Sequence, residues 1–267
     1  MSSPLNVTAV LTAIRQAGDL FVQGYKQTPI PQDYATLLSH LQQQNDQALA
    51  SLQQQLAADF PDTPWLEGDE FDSQGQKQPL DQPEYWLYDA LDGAVQYLQH
   101  LPGWTLNVVL VRQGRPQLAV IYAPLERELF WAQEGGGAFL NGVPLHPSTK
   151  TDPRHMVAVV NYGHQDEAYP MPDLNRKTGA AVTRLLDTFG VVRNYGPHGL
   201  QLAQVGAGRL DLFYQEGLDT YNWLAGVLIA REAGATVLNL AGQPWQWGDA
   251  GLLVAAPSAA ERFLVPR

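Results

Sequence analysis

The sequence contains no cysteine, and this absence excludes disulfide bonds, thiolate chemistry and cysteine-based zinc sites. Basic residues are also scarce: 16 Lys and Arg stand against 27 Asp and Glu, which gives a formal net charge of −11 at pH 7. Because nucleic-acid backbones and anionic membranes are recognised through basic patches, this balance argues against both kinds of partner. An acidic balance is compatible with a cation site but does not establish one.

Long hydrophobic runs are lacking as well. No apolar stretch approaches the ~20 residues that a membrane-spanning helix requires, and the first residues show no basic region followed by an apolar core. We therefore expect a cytoplasmic protein without a membrane partner. The length of 267 residues, 45% of them hydrophobic, suffices for one large domain or two closely packed ones.

Residues 1–150 show two different periodicities. Apolar residues at helical spacing predict one helix that begins after Asn6 as its N-cap, and a second helix over about 34–58. A polar, proline-punctuated segment, 74–84, is predicted to be a loop or hairpin. Short β-patterned runs with tight turns then predict an antiparallel meander, with strands at 105–112, 117–123, 128–131 and 138–140.

A composition shift near residues 147–153 introduces an alternation of strands and helices. We predict strands at 156–160, 191–193, 210–215, 236–240 and 252–255, helices at 180–186, 199–207, 221–233 and 258–264, and a long polar loop at 163–178. This alternation implies a covered, parallel or mixed sheet. The sequence thus predicts an α/β fold, with an N-terminal helix pair and antiparallel sheet in residues 1–150 and a C-terminal mixed α/β half in residues 151–267.

The candidate for chemistry is the segment 86–93, which reads WLYDALDG. An aromatic, β-prone run ends in Asp89 and Asp92, and Gly93 then permits a sharp turn. A strand end that brings these carboxylates together with the Leu91 carbonyl would form an oxygen-rich cup, and Mg²⁺ prefers oxygen ligands. Taken alone, the pattern is weak and favours an ordinary turn.

Five blocks in the same order resemble the inositol monophosphatase family, the Mg²⁺-dependent, lithium-sensitive sugar and inositol phosphatases. They are GDE at 68–70, WLYDALDGAVQY at 86–97, EGGGAFLNG at 134–142, LAQVGAGRLD at 202–211, and AG with REAGA at 225–226 and 231–235. The first two are similar to the family's Gly-Glu-Glu and Trp-x-x-Asp-Pro-Ile/Leu-Asp-Gly-Thr-x-Asn-Phe. The resemblance covers essentially the full length and implies a layered αβαβα fold and a homodimer.

The resemblance also implies a metal-dependent mechanism with Mg²⁺, or alternatively Mn²⁺, as cofactor. One metal lowers the pKa of a bound water to make the nucleophile, and another stabilises the leaving alkoxide. The positions carried over as metal ligands are Asp69, Asp89, Leu91, Asp92 and Asn222. Asp69 and Glu70 stand at the positions that hold and deprotonate the water. Gly93, Ala94 and Gln215 stand at positions that contact the substrate.

Several of these positions depart from the family pattern. Ala94 replaces the water-activating threonine, Asn222 an aspartate that ligates the second metal, and Gln215 a glutamate that contacts a substrate hydroxyl. Removal of one metal ligand or of its supporting group typically costs ~10–100-fold in affinity or activity. Glu67, Glu216 or Asp219 is an alternative source of the missing charge. We interpret Asp219 as a helix N-cap and His198 as a filler of core or surface.

The predicted function is therefore a Mg²⁺-dependent phosphomonoesterase that hydrolyses a small sugar or inositol phosphate with metal-activated water, with impaired or altered activity. The retained Asp89 and Asp92 and the carboxylates of Asp69 and Glu70 favour this hypothesis. The alternative is a catalytically degenerate member of the family that acts as a binding or scaffolding protein, and Ala94 and Asn222 favour it. The predicted partner is a small phosphorylated sugar or polyol, and neither nucleic acid nor membrane is expected.

Overall fold

A computed structural model of the chain describes residues 5–66, 73–162 and 173–264. The first half comprises α1 (Val7–Gly24), α2 (Tyr34–Leu56), β1 (Trp65–Leu66), α3 (Ser73–Lys77), β2 (Glu84–Asp92), α4 (Ala94–Leu98), β3 (Thr105–Arg112), β4 (Arg115–Ala123), β5 (Glu128–Gln133), β6 (Gly137–Leu140) and β7 (Val143–Pro144). After a 3₁₀ turn at Pro153–His155 come β8 (Val157–Tyr162), α5 (Leu174–Thr188), β9 (Val191–Arg193), α6 (His198–Gly206), β10 (Leu212–Glu216), α7 (Thr220–Glu232), β11 (Thr236–Leu238), β12 (Gly251–Ala255) and α8 (Pro257–Leu264).

The first sheet has the strand order β1-β2-β3-β4-β5-β6-β7. From β2 onward every neighbouring pair is antiparallel, and β1 lies parallel to β2 at the edge. Short turns connect the consecutive strands from β3 to β7, which confirms the predicted meander, whereas α4 lies between β2 and β3. The helix α1 begins after Asn6, whose side chain accepts a hydrogen bond from Ala9 N at 3.2 Å, as the N-cap prediction requires.

The second sheet has the order β11-β12-β10-β8-β9. Its strand β8 runs parallel to β9 and β10, whereas β12 runs antiparallel to β10 and β11. The strands that are separated by helices are the parallel ones, because a helical crossover returns the chain to the same edge of the sheet. The predicted mixed sheet is confirmed.

Three hydrophobic clusters define the layers. One cluster joins α1 and α2 to one face of the first sheet, and another joins α5 and α8 to the outer face of the second. The third lies between the two sheets and contains α6 and α7. Residues 223–230 of α7 are all buried, and a helix that is apolar on every side belongs in a core. The order of layers is therefore αβαβα, as the family resemblance implied.

Two segments differ from the predictions. Residues 73–77 form the helix α3 instead of a loop or hairpin, and α3 is held by α7: Thr220 Oγ1 donates to Gln76 O at 2.7 Å and Tyr221 N donates to Gln76 Oε1 at 3.1 Å. The local sequence gives no sign of these tertiary contacts.

The helix α5 begins at Leu174, so that the predicted polar loop is wrong over 174–178, while 163–172 lie outside the described residues. Only three of its side chains are buried, which weakens the apolar signal at its start. The division at residue 150 stays a prediction. Within the described ranges, no helix is both long and apolar enough to cross a membrane.

Candidate functional site

The strand β2 carries Asp89 and Asp92 to the end of the first sheet. On the neighbouring strand β3, Asp89 is paired with Asn107 and Asp92 with Thr105, and the register between these two pairs is irregular. In a regular strand, side chains three residues apart point to opposite faces of the sheet. The irregularity removes this restriction, and the chain turns directly afterwards at Gly93, which has a φ of 89°.

Asp92 is held by donors from two different layers. Its Oδ2 accepts from Asn107 Nδ2 at 2.8 Å and from Gly199 N, in the first turn of α6, at 3.3 Å. A Cβ on residue 199 would lie 2.9 Å from Asn107 Nδ2 and 3.3 Å from Asp92 Oδ2, so only glycine permits this approach. Burial raises the pKa of Asp92 to about 6. The charge of His198 and the two hydrogen bonds act in the opposite direction and lower the pKa, but burial has the larger effect.

Asp89 adds the second carboxylate of the cup. Its Oδ1 accepts a hydrogen bond from Leu91 N at 3.2 Å, which folds the backbone between the two aspartates back toward Asp89. The aspartates therefore lie on one short, locally bent segment, and Asp92 contacts the start of α6. This arrangement is compatible with the oxygen-rich cup predicted from the sequence.

Asp219, directly before α7, is the centre of a hydrogen-bonded group that the sequence analysis missed. It is buried, with 5% of its surface exposed. Its Oδ2 lies 3.0 Å from His198 Nδ1 and accepts from Gln215 Nε2 at 2.8 Å, while its Oδ1 accepts from Asn222 Nδ2 at 2.6 Å. We call Asp219, His198, Gln215 and Asn222 the Asp219 cluster.

The cluster corrects two interpretations. Asp219 stands at the N-cap position of α7, but its side chain makes no capping hydrogen bond, because both of its oxygens accept from side chains of the cluster. His198 is not a filler, since its Nδ1 lies 3.0 Å from Asp219 Oδ2. Burial alone would lower the pKa of His198, but the hydrogen bond to Asp219 and the charges of Asp219 and Asp92 raise it above its ordinary value.

Gln215 is fully buried and bonded at both ends. Besides the donation to Asp219, its Oε1 accepts from Trp223 Nε1 at 3.0 Å. Glu216 does not join this group: it accepts from Tyr214 OH at 2.6 Å, and successive side chains of a strand point to opposite faces. Glu216 is therefore no substitute for a missing ligand, whereas Asp219 lies among the substituted positions.

Other predicted site residues lie at the edge of this region or beyond the described residues. Ala94 begins the short helix α4 after Gly93. Glu67, Asp69 and Glu70 fall outside the described residues. In the part of the chain that is described, no group of three or more His, Asp or Glu side chains could hold a metal ion. The ligand set predicted from the sequence therefore requires the segment 67–70 for its completion.

Comparisons with known proteins agree with this architecture. Residues 3–266 match the model of the inositol monophosphatase family. The Nus factor SuhB of Escherichia coli (strain K12) is 33% identical over 168 residues, which span 63% of this chain and 61% of that relative, less than two thirds of its length. An inositol-1-monophosphatase of Mesorhizobium japonicum is 32% identical over 198 residues, 73% of this chain and 71% of that protein.

Solved structures give the same fold. The extragenic suppressor protein SuhB of Bartonella henselae superposes with a TM-score of 0.78 at 23% identity and with 96% of each chain covered. The IMPase of Thermotoga maritima gives a TM-score of 0.76 at 20% identity, again with 96% of each chain covered. Given the match over nearly the whole length, this chain belongs to the inositol monophosphatase family.

Proposed function

We propose that this protein is a Mg²⁺-dependent phosphomonoesterase that hydrolyses a small sugar or inositol phosphate, with impaired or altered activity. Members of the family act on small phosphorylated substrates and generally depend on Mg²⁺. The observation that carries the proposal is the retained pair Asp89 and Asp92 on a bent strand end, with Asp92 bonded to the start of α6. Asp69 and Glu70 complete the proposed set from the segment 67–70.

The donor set at Asp92 fits a divalent cation. Within the described residues, both hydrogen bonds to this carboxylate go to Oδ2, which leaves Oδ1 for a cation. Mg²⁺ would be held there by Asp92, Asp89 and the Leu91 carbonyl, and when bound it supplies a water of lowered pKa. Asn107 and Gly199 N keep the carboxylate in one orientation.

The phosphate is proposed to lie against the backbone amides of Gly93 and Ala94, where the chain turns out of β2. Backbone N–H groups at such a turn form a concave anion site. Because residue 94 is alanine, no hydroxyl helps to deprotonate a water there, and this supports slow turnover. The homodimer, the cytoplasmic location, Mn²⁺ as an alternative ion and the absence of a nucleic-acid partner stay predictions.

A second candidate function is that of a degenerate relative that binds a partner or acts as a scaffold without hydrolysis. The specific observation in its favour is Asn222, whose amide nitrogen is bonded to Asp219. The E. coli relative is named a Nus factor and not a phosphatase, which also supports a role other than hydrolysis.

The test is the rate of hydrolysis of inositol-1-phosphate and p-nitrophenyl phosphate in Mg²⁺ and in Mn²⁺. The variant Asp89→Asn is expected to lose at least ~10–100-fold in activity and in Mn²⁺ affinity, because a charged ligand becomes neutral. Asp173→Asn makes the same chemical change at an exposed position and is expected to leave both quantities unaltered. A wild-type rate no higher than that of Asp89→Asn would reject the phosphatase in favour of the second candidate.

A further inference from the structure

We propose that the Asp219 cluster takes the place of a second metal ion, so that the site holds one divalent cation at Asp89 and Asp92 and excludes another at Asn222. The inference rests on the proposed function, because it concerns the occupancy of the same site. The family resemblance implies a second metal at residue 222, and the side chains around that residue do not fit one.

The first reason is geometric. The amide nitrogen of Asn222 donates to Asp219 Oδ1 at 2.6 Å, which fixes the orientation of the amide group. The Oδ1 atom of Asp219 therefore already accepts a hydrogen bond. Its other oxygen receives His198 Nδ1 and Gln215 Nε2 at 3.0 and 2.8 Å. A cation that used Asp219 as a ligand would have to displace these donors, of which Gln215 is fully buried.

The second reason is that Gln215 and Asn222 both place an N–H donor beside Asp219. Gln215 and Asn222 are amides at positions where the family carries carboxylates, and each gives Asp219 an N–H bond that a carboxylate could not give. Acidic side chains at both positions would place three carboxylates in contact within a buried space, and such a group requires a cation for neutralisation. The amides remove that requirement.

The position of His198 is compatible with the exclusion of a metal in either protonation state. This residue lies between the two acidic groups: its ring is bonded to Asp219, and the next residue, Gly199, donates its N–H to Asp92. The bond to Asp219 needs only a proton on Nδ1, and both the imidazolium and the Nδ1-protonated neutral ring carry one. The exclusion of a metal therefore does not depend on the charge of the ring.

The experiment counts Mn²⁺ ions bound per full-length chain, by isothermal titration calorimetry and by the electron paramagnetic resonance of free Mn²⁺. The wild type is expected to bind one ion, and Gln215→Glu/Asn222→Asp is expected to bind one more than the wild type. Gln54→Glu/Asn175→Asp adds the same two charges at exposed positions of α2 and α5 and is expected to gain none. Circular dichroism checks that each variant is folded. If the double variant is not folded, the Mn²⁺ ions bound by Asn222→Asp alone are counted instead.

The outcomes separate the two proposals. One additional ion in the acidic variant supports the inference, whereas an unchanged count, or two ions in the wild type, overturns it. A wild type that binds no ion rejects the cup at Asp89 and Asp92, and with it the proposed function. In that case a single ion gained by the acidic variant still supports the exclusion of metal by the cluster.

Discussion

Replacement of Asp219 by alanine is expected to lower the free energy of unfolding by about 3–5 kcal/mol, because it removes the buried carboxylate that three donors share. The change leaves His198 Nδ1, Gln215 Nε2 and Asn222 Nδ2 without their shared acceptor. Gln215 is fully buried, and a buried donor that loses its partner costs about 1–3 kcal/mol, whereas His198 and Asn222 are partly exposed and contribute less. Urea denaturation followed by circular dichroism measures the change.

The matched control for this variant is Asp173→Ala. Asp173 forms an exposed pair with Arg176, 3.1 Å apart, and exposed pairs contribute about 0–1 kcal/mol. A loss below about 1 kcal/mol for Asp219→Ala would contradict the central position of this residue in the cluster. Asp219→Asn keeps one acceptor oxygen and is expected to fall between the wild type and the alanine variant.

Replacement of Gly226 by alanine is expected to destabilise the protein by about 1–3 kcal/mol and to weaken Mn²⁺ binding as well. A Cβ at this position would lie 2.4 Å from Leu202 Cβ and 2.9 Å from Gly199 O, so that α6 and α7 must move apart. Because Gly199 N bonds to Asp92, a shift of α6 disturbs the carboxylate that is proposed to hold the metal. Urea denaturation and Mn²⁺ titration measure the two effects.

Gly179→Ala is the matched control for the helix contact. Gly179 lies in α5, where an added Cβ meets nothing within 4 Å. Alanine there is expected to stabilise the protein by about 0.5–1 kcal/mol, because alanine favours the helix over glycine. If Gly226→Ala were as stable as the wild type and bound Mn²⁺ equally well, the close packing of α6 and α7 would not position Asp92.

Much of the fold is predictable from the sequence because burial in this protein follows local periodicity. The bounds of β3 and β9 agree with the predictions, and those of α7 differ by one residue at each end. The helix α3 could not be predicted, since it is held by bonds from Thr220 and Tyr221, far along the chain.

Only those residues of the candidate site that are close together in the sequence could be predicted. Asp89 and Asp92 belong to one motif, whereas His198 and Asp219 lie 21 residues apart and meet through the packing of two helices. Their signal in the sequence is indirect: carboxylates replaced by amides at 215 and 222 indicate that a new acceptor stands nearby. Asn107 is a polar residue within a largely apolar strand, and such a residue indicates a buried hydrogen-bond partner, which the structure shows to be Asp92.

The enclosure of α7 between the two sheets has a consequence for how the molecule opens. Solvent reaches the amides in the middle of this helix only when one sheet separates from it, which is close to complete unfolding. Hydrogen exchange at such amides reports the global free energy of unfolding and not a local fluctuation. Because Asn222 lies in the first turn of α7, we expect this partner of Asp219 to be anchored to a slowly exchanging helix.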